Sequence, residues 1–115
     1  MPYRVSTGEF APDNEFNPTR LVPDIYSSLA SAVRYITLWG RGGWIYDLDN
    51  GQIVIVDLRG STPVVRHGHH PESAQGDNRQ ADSMIRAVAR QVRRFKHKSV
   101  SMEDADGSIV LLEGG

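Results

Sequence analysis

Two short apolar segments, residues 44–48 and 52–56, flank the tripeptide Asp49-Asn50-Gly51. Both segments are rich in β-branched and aromatic residues, which favour strands. Asn-Gly favours the positive φ angles that a tight hairpin turn needs. We therefore predict an antiparallel hairpin in the middle of the chain, and any fold for this sequence must accommodate it.

An amphipathic helix is predicted just before this hairpin. Val22-Pro23-Asp24 is a typical start signal, and Gly40 with the following Gly42-Gly43 is a typical stop. Between them, apolar residues recur at helical spacing, which indicates one buried face. These residues are Ile25, Leu29, Val33, Ile36 and Trp39.

The same order of elements recurs in the C-terminal half. Residues 80–95 carry an uninterrupted apolar face at helical spacing, which predicts a second helix. Residues 99–104 and 108–112 then flank Asp106-Gly107, a second hairpin signal. The apolar face of this helix consists of Ala81, Met84, Ile85, Val88, Val92 and Phe95.

The two halves align without gaps, pairing Leu29 with Ile85 and Gly51 with Gly107. Strands are also predicted at residues 3–10 and 63–65, a polar loop after the first strand, and a surface loop at residues 67–80. We expect a single α+β domain, residues 1–115, with an antiparallel sheet of about six strands and two packed helices, built from two helix-hairpin units. The alternative is that any helix followed by an Asx-Gly hairpin shows similar periodicity.

Composition narrows the function classes. The chain has 115 residues, no cysteine and a net charge of −1. These values disfavour a disulfide framework, a thiolate metal site and a general binder of DNA or RNA. No apolar stretch is long enough to cross a bilayer and no secretory signal is recognisable, so we expect no membrane partner and a cytoplasmic location.

The second helix carries a stripe of basic residues beside its apolar face. Asp82 is the only acid between Ala81 and Lys98, so most of the cations lack a local countercharge. A solvated helix face, or pairing with acids elsewhere in the fold, would account for this composition. The other interpretation is a phosphate site, because guanidinium groups bind phosphate bidentately. The candidate cations are Arg86, Arg90, Arg93, Arg94, Lys96, His97 and Lys98.

A nucleotide ligand would also need an apolar platform for its base or ribose. Trp44 lies close to the glycine-rich turn that contains Arg41, although core packing is the commoner role of a tryptophan. The turn lacks the spacing of a P-loop. The residues His67, His69 and His70 could suggest a metal site, but adjacent histidines point in different directions, so we expect no metal and no cofactor. No catalytic residue is predicted, because no hydrolase elbow is present.

The order of strand, helix, hairpin, polar loop, arginine-rich helix and hairpin resembles that of the phage anti-Thoeris sponge proteins. The resemblance covers residues 28–60 and 78–107. It implies a non-enzymatic protein that sequesters cyclic ADP-ribose isomers or cyclic oligonucleotides, as a homo-oligomer with ligand sites at subunit interfaces. It further implies that Arg90, Arg93 and Arg94 grip phosphate, and that His69 and Asn78 lie in a loop that closes over the ligand.

A second set of residues resembles a reduced ADP-ribosyltransferase. The matching segments are Tyr3-Arg4, Ser27-Ser28 and residues 98–104. This resemblance implies that Arg4 grips the phosphates of NAD, Ser27 supports the nicotinamide ribose and Glu103 stabilises an oxocarbenium-like transition state. The Gln/Glu-x-Glu signature of that family is missing. A third hypothesis is that the basic stripe docks an acidic protein surface without a small ligand.

Overall fold

The computed structural model describes residues 2–10, 16–49, 51–68, 78–103 and 108–113. The elements in chain order are β1 (Tyr3–Phe10), β2 (Phe16–Leu21), α1 (Leu29–Trp39), β3 (Gly42–Asp47), β4 (Ile53–Asp57), β5 (Val64–His67), α2 (Asn78–Lys96), β6 (Val100–Glu103) and β7 (Ile109–Leu112). The expected α+β class, with two helices and a mostly antiparallel sheet, is confirmed.

The sheet has seven strands in the order β2-β1-β3-β4-β5-β6-β7. Every neighbouring pair is antiparallel except β5 and β6, which run parallel with Val64 opposite Ser101. The expectation of an antiparallel sheet of about six strands therefore holds in outline, with one strand more than expected and one parallel pair. The parallel pair has a topological cause, since α2 connects β5 to β6 and such a crossover returns the chain in the same direction.

Two departures from prediction lie before α1. Residues 16–21 form β2, which pairs with β1 across a register shift, although its sequence contains Pro18 and reads as a loop. Helix α1 begins at Leu29 rather than near Asp24. Ser28 is the N-cap, and its side-chain oxygen accepts a hydrogen bond from the backbone N–H of Ser31 at 3.2 Å. A serine cap satisfies one of the free N–H groups of the first turn, which fixes the start there.

The other predicted elements are confirmed, including β1, the β3–β4 hairpin, β5, α2 and both strands of the C-terminal hairpin. Gly51 has a φ of 75°, as the hairpin turn requires. Asn50, the turn at residues 104–107 and most of the predicted 67–80 loop lie outside the described residues.

Both helices pack on one face of the sheet and against each other. Helix α1 contacts β1 and β3, and α2 contacts β4 through β7. The core consists of the inward side chains of the strands and the apolar helix faces, with Val33, Ile36, Ile45, Val54, Val56, Val65, Val88, Val92 and Val100 inaccessible to solvent. Because side chains alternate across a strand, the residues between the core positions face away from the helices. No helix in the described part of the chain is long and apolar enough to cross a membrane.

Gly42, the first residue of β3, lies very close to the backbone of β4. Its φ is 121°, and a Cβ atom there would lie 2.2 Å from the carbonyl oxygen of Val56. Gly40 also has a positive φ, of 86°, but its Cβ position is open space. An alanine at position 40 would therefore meet only the strain of the left-handed conformation, whereas an alanine at position 42 would meet that strain and a steric clash.

We predict that Gly42→Ala lowers the free energy of unfolding by roughly 3–5 kcal/mol, because conformational strain and a backbone clash add. Gly40→Ala should cost only about 1–2 kcal/mol, from the left-handed conformation alone. Urea denaturation of both variants would measure the difference. Equal losses would contradict the close approach of Gly42 to β4.

Candidate functional site

The basic residues of α2 border a surface cleft of about 410 Å³ near the C-terminal end of the helix. The described lining residues are Arg90, Gln91, Arg93, Arg94 and His97. All of them belong to α2 or the residue after it, so the cleft is open to solvent. Its volume is within the range of small-ligand sites, about 300–1,000 Å³.

The apolar face of α2 determines where the arginines go. Met84, Ile85, Val88 and Val92 are buried against the sheet, so the residues on the other side of the helix project outward. Arg90 and Arg94 are exposed and Arg93 is half-buried. The burial of one helix face thus produces the basic surface predicted from the sequence.

His97 closes the helix in an unusual conformation. Its φ is 55°, in the left-handed region, and its backbone N–H donates to the carbonyl oxygen of Arg93 at 2.8 Å. Glycine is the common residue at such a position. Histidine is among the non-glycine residues that adopt this conformation more readily than most, and here it also lines the cleft.

No acidic residue lies among the described residues that line the cleft. The Nη1 atom of Arg93 donates to the backbone carbonyl oxygen of Glu113 at 2.8 Å, which anchors one arginine without neutralising it. Cations in the last turn also interact favourably with the negative end of the helix dipole. The helix dipole therefore explains part of the excess of basic residues without a ligand, but it does not by itself explain why three arginines occur together.

Gln91 is a cleft residue that the sequence analysis did not single out. Its Oε1 atom is buried and has no hydrogen-bond partner within the described part of the chain. A buried unpaired acceptor is costly, so a donor from outside would stabilise it. Only the unpaired state of this atom could have identified Gln91, because in the sequence it is a single neutral residue among the more conspicuous cations Arg90, Arg93 and Arg94.

Arg86 lies away from this cleft. It lines a hollow of about 10 Å³ together with Asp82, Ile85, Met102 and Val110, between α2 and the last strand. That volume holds no more than about one water molecule. Arg86 lies one helical turn before Arg90 on α2 but is not among the described lining residues of the cleft, so its grouping with the other three arginines at one ligand stays a prediction.

Trp44 and Arg41 also lie apart from the cleft. Trp44 is on the sheet face away from the helices, where its ring is 5.7 Å from that of Tyr46. Arg41 is exposed in the turn after α1, and its carbonyl oxygen accepts from the N–H of Leu58. It lies at the same end of the sheet as His97, about three strand spacings, or roughly 14 Å, to one side. One small ligand in a single copy cannot contact both Trp44 and the α2 cleft.

The remaining predicted residues are only partly located. His69 lies outside the described residues, and Asn78 is the first residue of α2, with its side chain outside the description. His67 contacts Gln52, with 3.1 Å between Nε2 and Oε1. No group of three potential metal ligands occurs within the described ranges.

An ion pair stabilises the same end of the sheet. Asp57 of β4 accepts hydrogen bonds from the Nε and Nη2 atoms of Arg59, at 3.0 and 2.8 Å. Partial burial tends to raise the pKa of Asp57, but the hydrogen bonds and charge of Arg59 outweigh it and hold the pKa below its usual value. The ionised carboxylate is therefore stabilised in the folded protein.

No protein-family model, curated protein or solved structure matches this chain.

We predict that Asp57→Asn makes the protein less sensitive to acid. A carboxyl group with a lowered folded-state pKa contributes stability above its unfolded pKa of about 3.9, and this is lost as pH falls through the folded pKa. The contribution should be below about 1 kcal/mol, because Arg59 is exposed. Thermal melts at neutral pH and near pH 3 would test this, and an unchanged acid-induced loss in the variant would contradict it.

Proposed function

We propose that this protein is a non-enzymatic binding protein that holds a phosphate-bearing ligand in the basic cleft of α2. The observation that carries this proposal is the clustering of Arg90, Arg93 and Arg94 with His97 around one cleft, with no acid among its described lining residues. Each charge-assisted hydrogen bond to phosphate contributes about 1.5–3 kcal/mol. Two or three converging guanidinium groups are therefore sufficient for tight retention.

The ligand class we propose is a cyclic nucleotide, either a cyclic ADP-ribose isomer or a cyclic oligonucleotide. Such a ligand supplies several phosphate oxygens for the arginines and base N–H groups that could donate to Gln91 Oε1. Sequestration of an immune signal by a phage-encoded protein is the biological role that fits the resemblance to the anti-Thoeris sponges. This role requires burial of the ligand and no chemical step.

A one-sided cleft makes a second surface necessary for tight binding. All the described lining comes from a single stretch of chain, so a bound nucleotide would remain exposed on its outer side. Ligand sites of high affinity bury most of the ligand surface. We therefore propose that another copy of the chain covers the ligand, as the resemblance to the anti-Thoeris sponges implies.

A second candidate is an ADP-ribosyltransferase-like site, and one contact favours it. Tyr3 and Tyr26 form a β-bridge with hydrogen bonds of 2.8 and 2.9 Å, so Arg4 and Ser27 lie on adjacent antiparallel segments. Glu103 does not join them. It is on β6, four strand spacings from β1, which corresponds to roughly 19 Å across the sheet. A site of this kind would have to work without Glu103 to stabilise its oxocarbenium-like transition state.

We also propose that the two helix-hairpin units arose by duplication. In support, α1 precedes the antiparallel pair β3 and β4, and α2 precedes the antiparallel pair β6 and β7. Gly42 of β3 lies opposite Asp57, Asp57 lies opposite Val64, and Val64 lies opposite Ser101 of β6. The strands that follow the two helices therefore begin at the same end of the sheet. The units differ in position, since only the second reaches the edge of the sheet.

We predict that Arg90→Ala weakens retention of the cyclic nucleotide about ten- to a hundredfold, the loss expected for one charge-assisted contact. Arg93→Ala should have a similar effect, and Arg34→Ala should have none, because Arg34 is exposed on α1. Native mass spectrometry with cyclic ADP-ribose isomers, cyclic dinucleotides, cyclic trinucleotides and NAD, followed by heat release, would identify what is held.

The three hypotheses give different results in this experiment. Intact cyclic nucleotide released from the wild type but not from the arginine variants supports sequestration. Retention that survives both arginine substitutions contradicts the α2 cleft as the site. If no nucleotide is retained, the basic surface is better explained by docking to an acidic protein.

We predict that Glu103→Gln leaves ligand retention unchanged, because Glu103 is on β6 and outside the cleft lining. Incubation with NAD and chromatography of the products would test the enzymatic alternative. Release of nicotinamide that is abolished by Arg4→Ala would establish the Arg4 and Ser27 site. Loss of that activity in Glu103→Gln would show that Glu103 takes part in the reaction despite its distance from Arg4.

A further inference from the structure

The sheet face away from the helices, here called the outer face, carries an aromatic pair on β3. Trp44 and Tyr46 are two residues apart and both project on this face, with 5.7 Å between their ring centroids and 36° between the ring planes. Both side chains are half-buried, so both remain partly accessible to solvent. Because β3 is the third of seven strands, this aromatic surface lies away from either edge of the sheet.

An arginine flanks the aromatic pair on each side. Arg4 of β1 lies directly opposite Tyr46. Arg66 of β5 lies opposite Ile55, which in turn lies opposite Trp44, so Arg66 is two strand spacings, or roughly 10 Å, from the tryptophan. Opposite residues in an antiparallel pair project on the same face, so both arginines share the outer face with the rings.

Arg4 is half-buried, and it forms no ion pair within the described part of the chain. Its neighbour on β3 is the neutral Tyr46, and its neighbour two positions along β1 is Ser6. Asp24 lies on the segment that flanks β1 on its other side, but among the described residues it forms no ion pair with Arg4. Partial burial of a charge is costly unless an opposite charge compensates it, so an anion from outside would stabilise Arg4.

Arg66 contributes less net charge to the outer face than Arg4 does. Glu103 of β6 lies opposite Arg66 and offsets part of its charge. Among the described residues, Asp57 is the other acid of this face, and its carboxylate is already paired with Arg59 at 2.8 Å. The uncompensated positive charge of the outer face therefore lies at Arg4, directly beside the aromatic pair.

We propose that the outer face binds single-stranded nucleic acid, with bases stacked on Trp44 and Tyr46 and a phosphate held by Arg4. Every base has a π face, so aromatic side chains bind single strands with little dependence on sequence. Guanidinium groups bind phosphate oxygens bidentately. An apolar partner would leave Arg4 without a countercharge, and the same face of a second copy would bring like charges together.

The site is small, and its binding should be weak and only moderately sensitive to salt. The net charge of −1 provides no general attraction for a polyanion. If one or two phosphates are neutralised, the logarithm of the association constant should fall with the logarithm of the salt concentration with a slope of about −0.7 to −1.4. This site does not depend on the function proposed for the α2 cleft, which is on the other side of the sheet.

Fluorescence anisotropy of a labelled single-stranded oligonucleotide of about ten nucleotides, titrated with the protein at several salt concentrations, tests the proposal. We expect Trp44→Leu to weaken binding at least about tenfold, because leucine retains apolar packing but cannot stack on a base. Arg4→Gln should weaken binding and make the salt slope shallower by about 0.7. The matched control is Trp39→Leu, which makes the same change at a residue of α1 that is 46% exposed and should leave binding unchanged.

Circular dichroism would confirm that each variant folds, and Arg4→Gln keeps the test decisive if Trp44→Leu does not. A duplex of the same sequence should bind more weakly than the single strand, because its bases are stacked on one another. The proposal is overturned if the wild type does not bind the single strand at low salt, or if Trp44→Leu and Arg4→Gln bind it like the wild type. Binding that Arg90→Ala abolishes and Trp44→Leu leaves unchanged would assign the oligonucleotide to α2 and equally overturn the proposal.

Discussion

Apolar packing between two helices and one face of the sheet holds this protein together. Val33 and Ile36 of α1 and Val88 and Val92 of α2 are fully buried against the inward side chains of the strands. Removal of this apolar surface from water is the main favourable contribution to folding. Both helices cover the same face of the sheet, so the surface of the molecule consists of the opposite sheet face, the sheet edges and the outward sides of the helices.

The basic surface is one such consequence. Helix α2 can bury only one side, and its long basic side chains occupy the other. The favourable interaction of these cations with the helix C-terminus makes the cluster tolerable in the absence of a ligand. The cleft also contains the unpaired acceptor of Gln91 and the left-handed His97. These two features support our proposal that the cleft binds a ligand.

The sequence predicted α2 and the central hairpin well, because each depends on local signals. An unbroken apolar stripe specifies α2, and Asn50-Gly51 specifies the turn between β3 and β4. The start of α1 was misplaced because Ile25 continues the apolar period but is exposed in the structure. Ser28, the actual cap, follows another serine and gave no distinctive signal.

The sequence analysis did not predict β2 or the parallel pairing of β5 with β6, and the cause there is different. Both depend on contacts between residues far apart in sequence, which no local pattern encodes. The same limit applies to the candidate site. The three arginines near the end of α2 are close in sequence and remain close in space, whereas Trp44 could be separated from them only once the sheet was known.

The crossover through α2 has a further consequence for how the chain assembles. Strands β1 to β5 form a continuous antiparallel array, but β6 and β7 join it through three paired positions between β5 and β6 and through the packing of α2. These non-local contacts can form only after the intervening segment has closed, at a cost in chain entropy. The pairing of β1 with β3 spans a comparable stretch of sequence, since Tyr3 lies opposite Asp47, so both ends of the sheet depend on long-range closure, whereas the β3–β4 hairpin closes locally.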